Sequence, residues 1–521
     1  MTATRPGNRR LDVLRSVTIV SVSSYIEFAL GLFVSVWIAR ALGPADFGRY
    51  AFTVWLCGWL IVCSNHALTT SSTKFIAEAD GSGATDVASH IAYRLNRIQH
   101  VSTAIVLGLF LLVLLIIRPV EWHDALLPAT ALVLIATGSK ANYAMWVAIA
   151  KGQERFETEA IATVAAGLIG VALVIAATLA KAGLLAFVGI FTISCLLLNL
   201  INRLAYRHYC QPFTDGPIPP ELQARLNRHL RLTAVLIIVM SFKSGTIEVF
   251  LLNTYATSAA VGYFAIAGTL TRGAVQLFSV GLTTTLLPYM AKSYGERGHD
   301  HAVRFLGEAT RFYWAVGLAI AGLGLVTTPD IVTLMYGHRY ADAIPAIEAM
   351  LVLAGLLLIG NGIAAYQTVV DRQDDRIRIT VVALVVNALA GVLLVPWLGL
   401  LGAVLAYAIT RLTELALAIY YLRRATTGGL PLAAMARLFG VGAVATAVAW
   451  MVMSAVPSLW GFLAGAAVFV GIYLPASALV RYWGEDDYRL LATIANRFGA
   501  PGRMLVRGLN SLQGARADTL P

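Results

Sequence analysis

The sequence predicts an all-α integral membrane protein. About fourteen transmembrane helices are expected, as two parallel six-helix halves followed by two further helices. Three observations carry this: the composition, the placement of basic residues and an internal repeat. Of 521 residues, 58% are hydrophobic and 13% are charged, with a mean hydropathy of +0.74. Soluble domains carry about 25% charged residues. Fourteen apolar runs are visible, at roughly 15–38, 47–70, 101–117, 125–149, 158–180, 184–204, 230–254, 260–290, 309–328, 345–370, 377–397, 400–422, 434–456 and 459–480. Each is close to the roughly 20 residues that a helix needs to cross about 30 Å of hydrocarbon.

The basic residues set the orientation. With the N-terminus inside, thirty of the 39 Lys and Arg fall in inner segments. Arg40, Arg49, Arg118, Lys181 and Arg339 fall in outer loops. That asymmetry is the positive-inside rule, and it puts both termini in the cytoplasm. The formal net charge of +11 is then a topological signature and not a nucleic-acid footprint.

The repeat has a shift of 214. It brings Gly48, Ala51, Leu56, Leu68, Thr69, Thr70 and Ala77 onto Gly262, Ala265, Leu270, Leu282, Thr283, Thr284 and Ala291. Gly183-Leu184-Leu185 meets Gly399-Leu400-Leu401 at a shift of 216. Six spans per copy make the halves parallel, as in many transporters.

In order, residues 1–14 are a basic cytoplasmic N-terminus (Arg5, Arg9, Arg10). The run that follows is too long for a signal-peptide h-region and reads as the first span. Residues 15–204 form the first half. Within them Gly43-Pro44 predicts a turn, and Asp46 is expected as the N-cap of the second span. Thr85 to Ile98 places Val87, Ile91, Leu95 and Ile98 on one face and predicts a separate interfacial helix. Residues 205–229, with Pro212, Pro217, Pro219 and Pro220, are the linker. Residues 230–422 form the second half and 434–480 the two added spans. The tail 481–521 predicts an amphipathic stretch through Tyr488, Leu490, Leu491, Ile494 and Phe498 on the inner leaflet. Cys57, Cys63, Cys195 and Cys210 form no CxxC pair and read as small buried hydrophobes.

Several chemistries are excluded. No G-x-x-x-x-G-K-[ST], HExxH, nucleophile elbow or kinase set is present, so the chain carries no P-loop ATPase of its own. The positive signal is ionisable residues inside spans: Glu27, Lys140, Lys243, Glu248, Arg272, Arg411 and Glu414. Each costs about 2.5–3.5 kcal/mol at the bilayer centre and normally faces protein or water. The excess of cations suits an anionic substrate such as a pyrophosphate. Arg411 and Glu414, at i, i+3, have a bland reading as a self-neutralising pair. Lys243 and Glu248 point away from one another on one helix. Arg272 has no acidic neighbour within a turn and aligns with the uncharged Gly58, so it is the foremost substrate contact. Glu27 and Glu248 are the candidates for ion coupling. Asn142, Gln276, Asn361 and Gln367 are candidates to line a sugar path, and Lys74 is expected to snorkel.

Three stretches carry a resemblance. ARALGPADFGRYAF (39–52), TTTLLPYMAK (283–292) and LMYGHRYADA (334–343) resemble the span 1–2 turn, the span 8 exit and the outer motif before span 10 of oligosaccharide flippases. These form the polysaccharide-transporter branch of the multidrug/oligosaccharidyl-lipid/polysaccharide (MOP) exporter superfamily. The resemblance runs over about 15–425. It implies two lobes facing a central cavity that opens alternately to each side. It implies translocation of undecaprenyl-pyrophosphate-linked oligosaccharide across the bacterial inner membrane; on that reading the intramembrane residues Lys140, Lys243, Arg272, Arg411 and Asn361 are the expected substrate contacts. No cofactor is called for; an ion gradient or the membrane potential would supply the energy. Expected partners are the lipid-linked oligosaccharide, membrane lipids and the glycan polymerase and export machinery. No nucleic acid is expected, and a monomer is the default. Related lipid II flippases carry cavity cations in spans 1, 2 and 8. Here span 8 offers Arg272, but span 1 offers Glu27 mid-span, which favours a repeat-unit flippase. The alternatives are a lipid II flippase, a drug or cation exporter of the same fold, a membrane glycosyltransferase or ligase built on Asp330, Asp342 and Glu348, and a non-transporting scaffold.

Overall fold

The computed structural model describes residues 6–116, 122, 125–243, 247–426, 430–455, 459–480 and 482–483. The predicted amphipathic tail lies outside the described residues. Among those described the chain is all-helical, with no strand. Ten stretches are long and apolar enough to cross a membrane. Two of them are bent and hold two predicted runs each: Val22–Asn65 and Gln373–Ala425. The predicted runs 230–254 and 260–290 are not among the ten. They are carried by α7 (Pro220–Lys243), α8 (Ile247–Tyr255) and α9 (Ser258–Arg297).

Two compact units divide the chain, Met1–Ala265 and Ile266–Pro521. The division falls within α9 and not in the 205–229 segment.

In the first unit, α1 (Pro6–Asn65) breaks at Gly43, whose φ of 74° and ψ of 174° are open to glycine and strained for other residues. Pro44 follows the break, where a missing N–H costs nothing. Asp46 is therefore not the N-cap. It lies in the first turn after the break and accepts a hydrogen bond from Arg49 at 3.2 Å. The second predicted span also ends early. α1 stops at Asn65, His66 turns with φ 23°, and α2 (Leu68–Gly81) begins a new direction. The expected interfacial helix is not separate, because α3 (Thr85–Ile116) runs unbroken from Thr85 into the next span. Ile91 and Leu95 pack in a core with Phe75 and Ile76 of α2 and with Met145 and Ile149 of α4 (Leu126–Gly152). α5 (Glu157–Leu179) carries two acids in its first turn, and α6 (Leu184–Tyr209) carries Arg207 and His208 in its last. Both placements oppose the helix dipole favourably.

α1 and α9 cross at a pair of glycines. A Cβ on Gly48 would stand 1.6 Å from the Ser258 carbonyl oxygen, and one on Gly262 would stand 2.8 Å from that of Pro44. The contact is reciprocal under the 214-residue shift, because Pro44 maps onto Ser258 and Gly48 onto Gly262. Without hydrophobic drive between helices in lipid, such close backbone approach is a main source of packing energy.

In the second unit, α10 (His299–Met335) packs on α11 (Ile344–Leu356), with Pro345 in the first turn of α11. Gly317 and Gly355 make the same kind of reciprocal approach there. The predicted run 345–370 is not one helix: a turn at 357–359 separates α11 from α12 (Gly360–Val369). α13 (Gln373–Ala425) breaks at Gly399, with φ 54° and ψ −124°. α14 (Leu432–Ala455) and α15 (Leu459–Leu479) pack on α10 through Leu438, Phe469 and Tyr473. The Tyr473 hydroxyl donates to the Ala315 carbonyl at 2.8 Å.

Hydroxyls inside these apolar helices are mostly satisfied within their own helix. Thr53, Ser64, Ser194, Thr327 and Thr446 each donate to the carbonyl four residues back. In lipid an unpaired hydroxyl would cost several kcal/mol, on the order of 2–7.

Candidate functional site

The ionisable residues gather into two clusters, one in each unit. In the first unit the centre is Glu27 on α1. It lines a cavity of about 180 Å³ with Gly31, Tyr50, Thr163, Phe191 and Ser194. The wall is otherwise apolar, and three helices (α1, α5 and α6) build it. Lys140 of α4, with its Nζ 5.8 Å from the centre of the Phe191 ring, acts electrostatically on Glu27, as do Glu159 and Lys151. So Glu27 has the cation that its own helix does not supply.

Thr163 leads out of this cavity. Its hydroxyl lies 3.2 Å from that of Tyr143. Tyr143 lines a second, more polar space of about 630 Å³ with Thr69, Thr70, Thr73, Lys74, Lys151 and Glu159. There Lys151 and Glu159 form an ion pair at 2.8 Å. The early end of α1 at Asn65 makes this possible, because α2 redirects its threonines onto α4. Thr73 donates to the Ala148 carbonyl at 3.0 Å. Lys74 lines this space and is exposed, as a snorkelling side chain would be. Glu27 and Thr163 thus share the first cavity, Tyr143, Glu159 and Lys151 share the second, and the Thr163–Tyr143 contact lies between the two.

In the second unit the centre is Tyr407 on α13. The Arg411 guanidinium sits 5.2 Å from its ring centre. Arg272 of α9 lies in the neighbourhood of the same tyrosine. Its guanidinium folds back over Gly268, where an added Cβ would come within 3.3 Å of Nη1. Arg411 and Glu414 pair at 3.0 Å, as their i, i+3 spacing predicts. Glu414 offsets one of the two guanidiniums, so Arg272, Arg411 and Glu414 together leave one net positive charge. Two planar cations in one neighbourhood, one of them over the ring, suit a phosphate or pyrophosphate group, which guanidinium recognises bidentately.

The other candidates fall elsewhere. Lys140 joins Glu27, not Arg272, and the side chain of Lys243 lies outside the described residues. Glu248 is fully buried in the first turn of α8. Asn361 is exposed at the start of α12, just past the turn at 357–359. Asn142 is no sugar-path residue: it is buried, donates to Asn199 at 3.2 Å and accepts from Trp146 at 3.0 Å. Gln367 is buried and Gln276 exposed. The cysteines are all free; Cys57 and Cys195 are buried, but Cys63 is exposed. Burial pushes the Cys210 thiol up to about 12, so it stays protonated and inert. No group of His, Cys, Asp and Glu fit to hold a metal occurs among the described residues.

The model of the family described as polysaccharide biosynthesis protein matches residues 13–294. The chain belongs to that family. Solved structures that share its fold include transporters of the MOP superfamily. Its fold is similar to that of the lipid II flippase MurJ in an inward closed conformation. That likeness has 15% identity and a TM-score of 0.67, over 88% of this chain and 98% of that one. A multidrug resistance MATE family transporter in an inward-facing conformation is similar at 16% identity and a TM-score of 0.58. The match covers 79% of this chain and 98% of that one. A MOP superfamily transporter from Pyrococcus furiosus is similar at 16% identity and a TM-score of 0.51, over 80% and 95%. A comparison with curated protein sequences finds no significant match.

Proposed function

We propose that this member of the family is a flippase. It carries undecaprenyl-pyrophosphate-linked oligosaccharide repeat units, of O-antigen, capsule or exopolysaccharide, across the bacterial inner membrane by alternating access. The observation that carries this reading is that Arg411, over the Tyr407 ring, and Arg272, in the same neighbourhood, bring two guanidiniums together with one carboxylate. A pyrophosphate is the one part common to every such substrate. Two guanidiniums on rigid helices bind it without reading the sugar. Membership of a polysaccharide biosynthesis family supports a glycan cargo.

Glu27 is the coupling acid in this proposal. Its cavity of about 180 Å³ is large enough for a hydrated cation or a few waters. Protonation or cation binding there changes the charge facing Lys140. Glu248, fully buried, is a second candidate for that role. A pH or sodium gradient, or the membrane potential, then biases the cycle. One charge crossing 100 mV is worth about 2.3 kcal/mol.

The test is a deletion strain in which lipid-linked oligosaccharide is quantified by leaflet and by mass. The expected result is accumulation of the intact repeat unit on the inner face, with restoration by the wild-type gene. Normal delivery to the outer face overturns the proposal. Dye extrusion in that case would point to a cation exporter of the same fold.

A further inference from the structure

The charged end of α3 forms a separate site that the transport reading does not use. Tyr93, Arg94, Arg97, Ile98 and Val101 of α3, with Asp215 and Gly216 of the segment after α6, line a cavity of about 390 Å³. The segment is fastened in place. The Thr214 N–H donates to Ser89 Oγ at 2.7 Å, and His90 Nδ1 donates to the Pro217 carbonyl at 3.0 Å. Tyr206 donates to the Gln211 carbonyl at 2.8 Å, and the Gln211 N–H donates to Gln153 at 3.0 Å. Gly216 is pressed on the His90 ring, where a Cβ would come within 2.2 Å. The cavity therefore has a built wall.

Two guanidiniums face one carboxylate, leaving a net charge of +1. Neither Arg94 nor Arg97 makes an ion pair or side-chain hydrogen bond among the described residues. The same helix face then turns apolar. Ile98, Val101, Ile105, Leu109 and Leu112 follow Arg94 at steps of three and four, so they form one stripe. Val101, Ile105, Leu109 and Leu112 are each more than half exposed. From Arg94 to Leu112 the rise is about 27 Å at 1.5 Å per residue. That exceeds the thickness of one leaflet, about half of 30 Å of hydrocarbon.

We propose that this end of α3 and its strap hold one phospholipid of single negative charge. The phosphodiester lies on Arg94 and Arg97, and an acyl chain lies along Val101, Ile105 and Leu109. Charge selects the headgroup. A monoanionic lipid neutralises the site, whereas a zwitterionic one leaves it at +1. A free phosphate would leave the apolar stripe unused. The site is independent of the flippase reading and stands or falls without it.

The test uses the full chain, reconstituted in equal parts phosphatidylglycerol and phosphatidylethanolamine, re-extracted in detergent and analysed for retained lipid by mass spectrometry. Wild type is expected to retain phosphatidylglycerol preferentially. Arg94→Gln with Arg97→Gln should retain about tenfold less, the loss of one charge-assisted contact set, and Arg94→Lys with Arg97→Lys should retain most of it. Asp215→Asn removes the opposing carboxylate and should raise retention several-fold. It keeps the proposal testable where the double arginine variant does not fold. Equal retention by the glutamine variant, equal retention of phosphatidylethanolamine, no gain from Asp215→Asn, or stripping of the lipid by inorganic pyrophosphate alone each overturns it.

Discussion

The two charge clusters are built on different principles. Around Glu27 the signs alternate: Glu27, Lys140, Lys151 and Glu159 lie among hydroxyls, and the last two are paired at 2.8 Å. Near Tyr407 the groups are two guanidiniums, Arg411 on the ring and Arg272 close by, with one carboxylate as a partial counterweight. Carboxylates and hydroxyls exchange protons and bind small cations. Guanidiniums do neither, because they stay charged at any physiological pH. That difference is why the proposed function gives ion coupling to the first cluster and anion binding to the second, and each part of the proposal is breakable.

The largest expected effect is at Arg272. Arg272→Ala should cut delivery of lipid-linked oligosaccharide to the outer leaflet by at least about tenfold, since a hydrogen bond to a charged group contributes roughly 1.5–3 kcal/mol. Arg272→Lys should recover only part, because an ammonium lacks the planar fork. Leaflet-resolved lipid analysis at matched expression measures both. Wild-type delivery by Arg272→Ala would remove the anion-binding assignment.

Next is Glu27. Glu27→Gln keeps the shape of the cavity and removes its charge. In proteoliposomes the variant should still equilibrate substrate across the bilayer, but the several-fold stimulation by an imposed proton or sodium gradient should vanish. At pH 7 the expected energetic loss is about 2.3 kcal/mol per 100 mV for each coupled charge. A variant that keeps its gradient response would move the coupling role to Glu248.

How far the sequence foretold this varies with the physics of each element. Lipid demands that a span be apolar all round, so the helical runs stand out. The breaks do not. α1 stops at Asn65 and α11 at Leu356, beside Ser64-Asn65-His66 and Gly360-Asn361-Gly362, which are too short to interrupt the apolar runs that hold them. Both breaks follow from packing, as when α2 turns its face onto α3 and α4. The Arg411–Glu414 pair was readable because it is local to one helix. The meeting of Arg272 with Tyr407, 135 positions apart, was not. Lys151 and Glu159 sit at span ends, where basic residues usually mark topology, and their pairing is hidden by that position. Their separation of eight across a short turn was the available signal. The Gly48–Gly262 contact was half visible: the repeat named both glycines as equivalents, and only the structure set them against each other.

A smaller effect is expected at Glu414. Glu414→Gln removes the charge that offsets Arg411. Partly exposed pairs contribute up to about 1 kcal/mol, so the apparent KM for a pyrophosphate-linked substrate should fall by about threefold. The maximal rate should fall with it as release slows. A rise in KM would mean that Glu414 positions Arg411 for binding and does not compete with the substrate.

The smallest effect tests whether the first cluster is one connected path. Tyr143→Phe removes a single hydroxyl, the one 3.2 Å from Thr163, and leaves the ring in place. A neutral hydrogen bond contributes about 1 kcal/mol, so gradient-driven transport should slow by no more than about fivefold. Gradient-free exchange should be unchanged, because nothing in the second cluster is touched. If protons travel from Glu27 to Glu159 through Tyr143, the slowing should be larger in a proton gradient than in a sodium gradient. Equal slowing under both would make Tyr143 a strut that holds α4 to α5, and the acid chain would end at the cavity of Glu27.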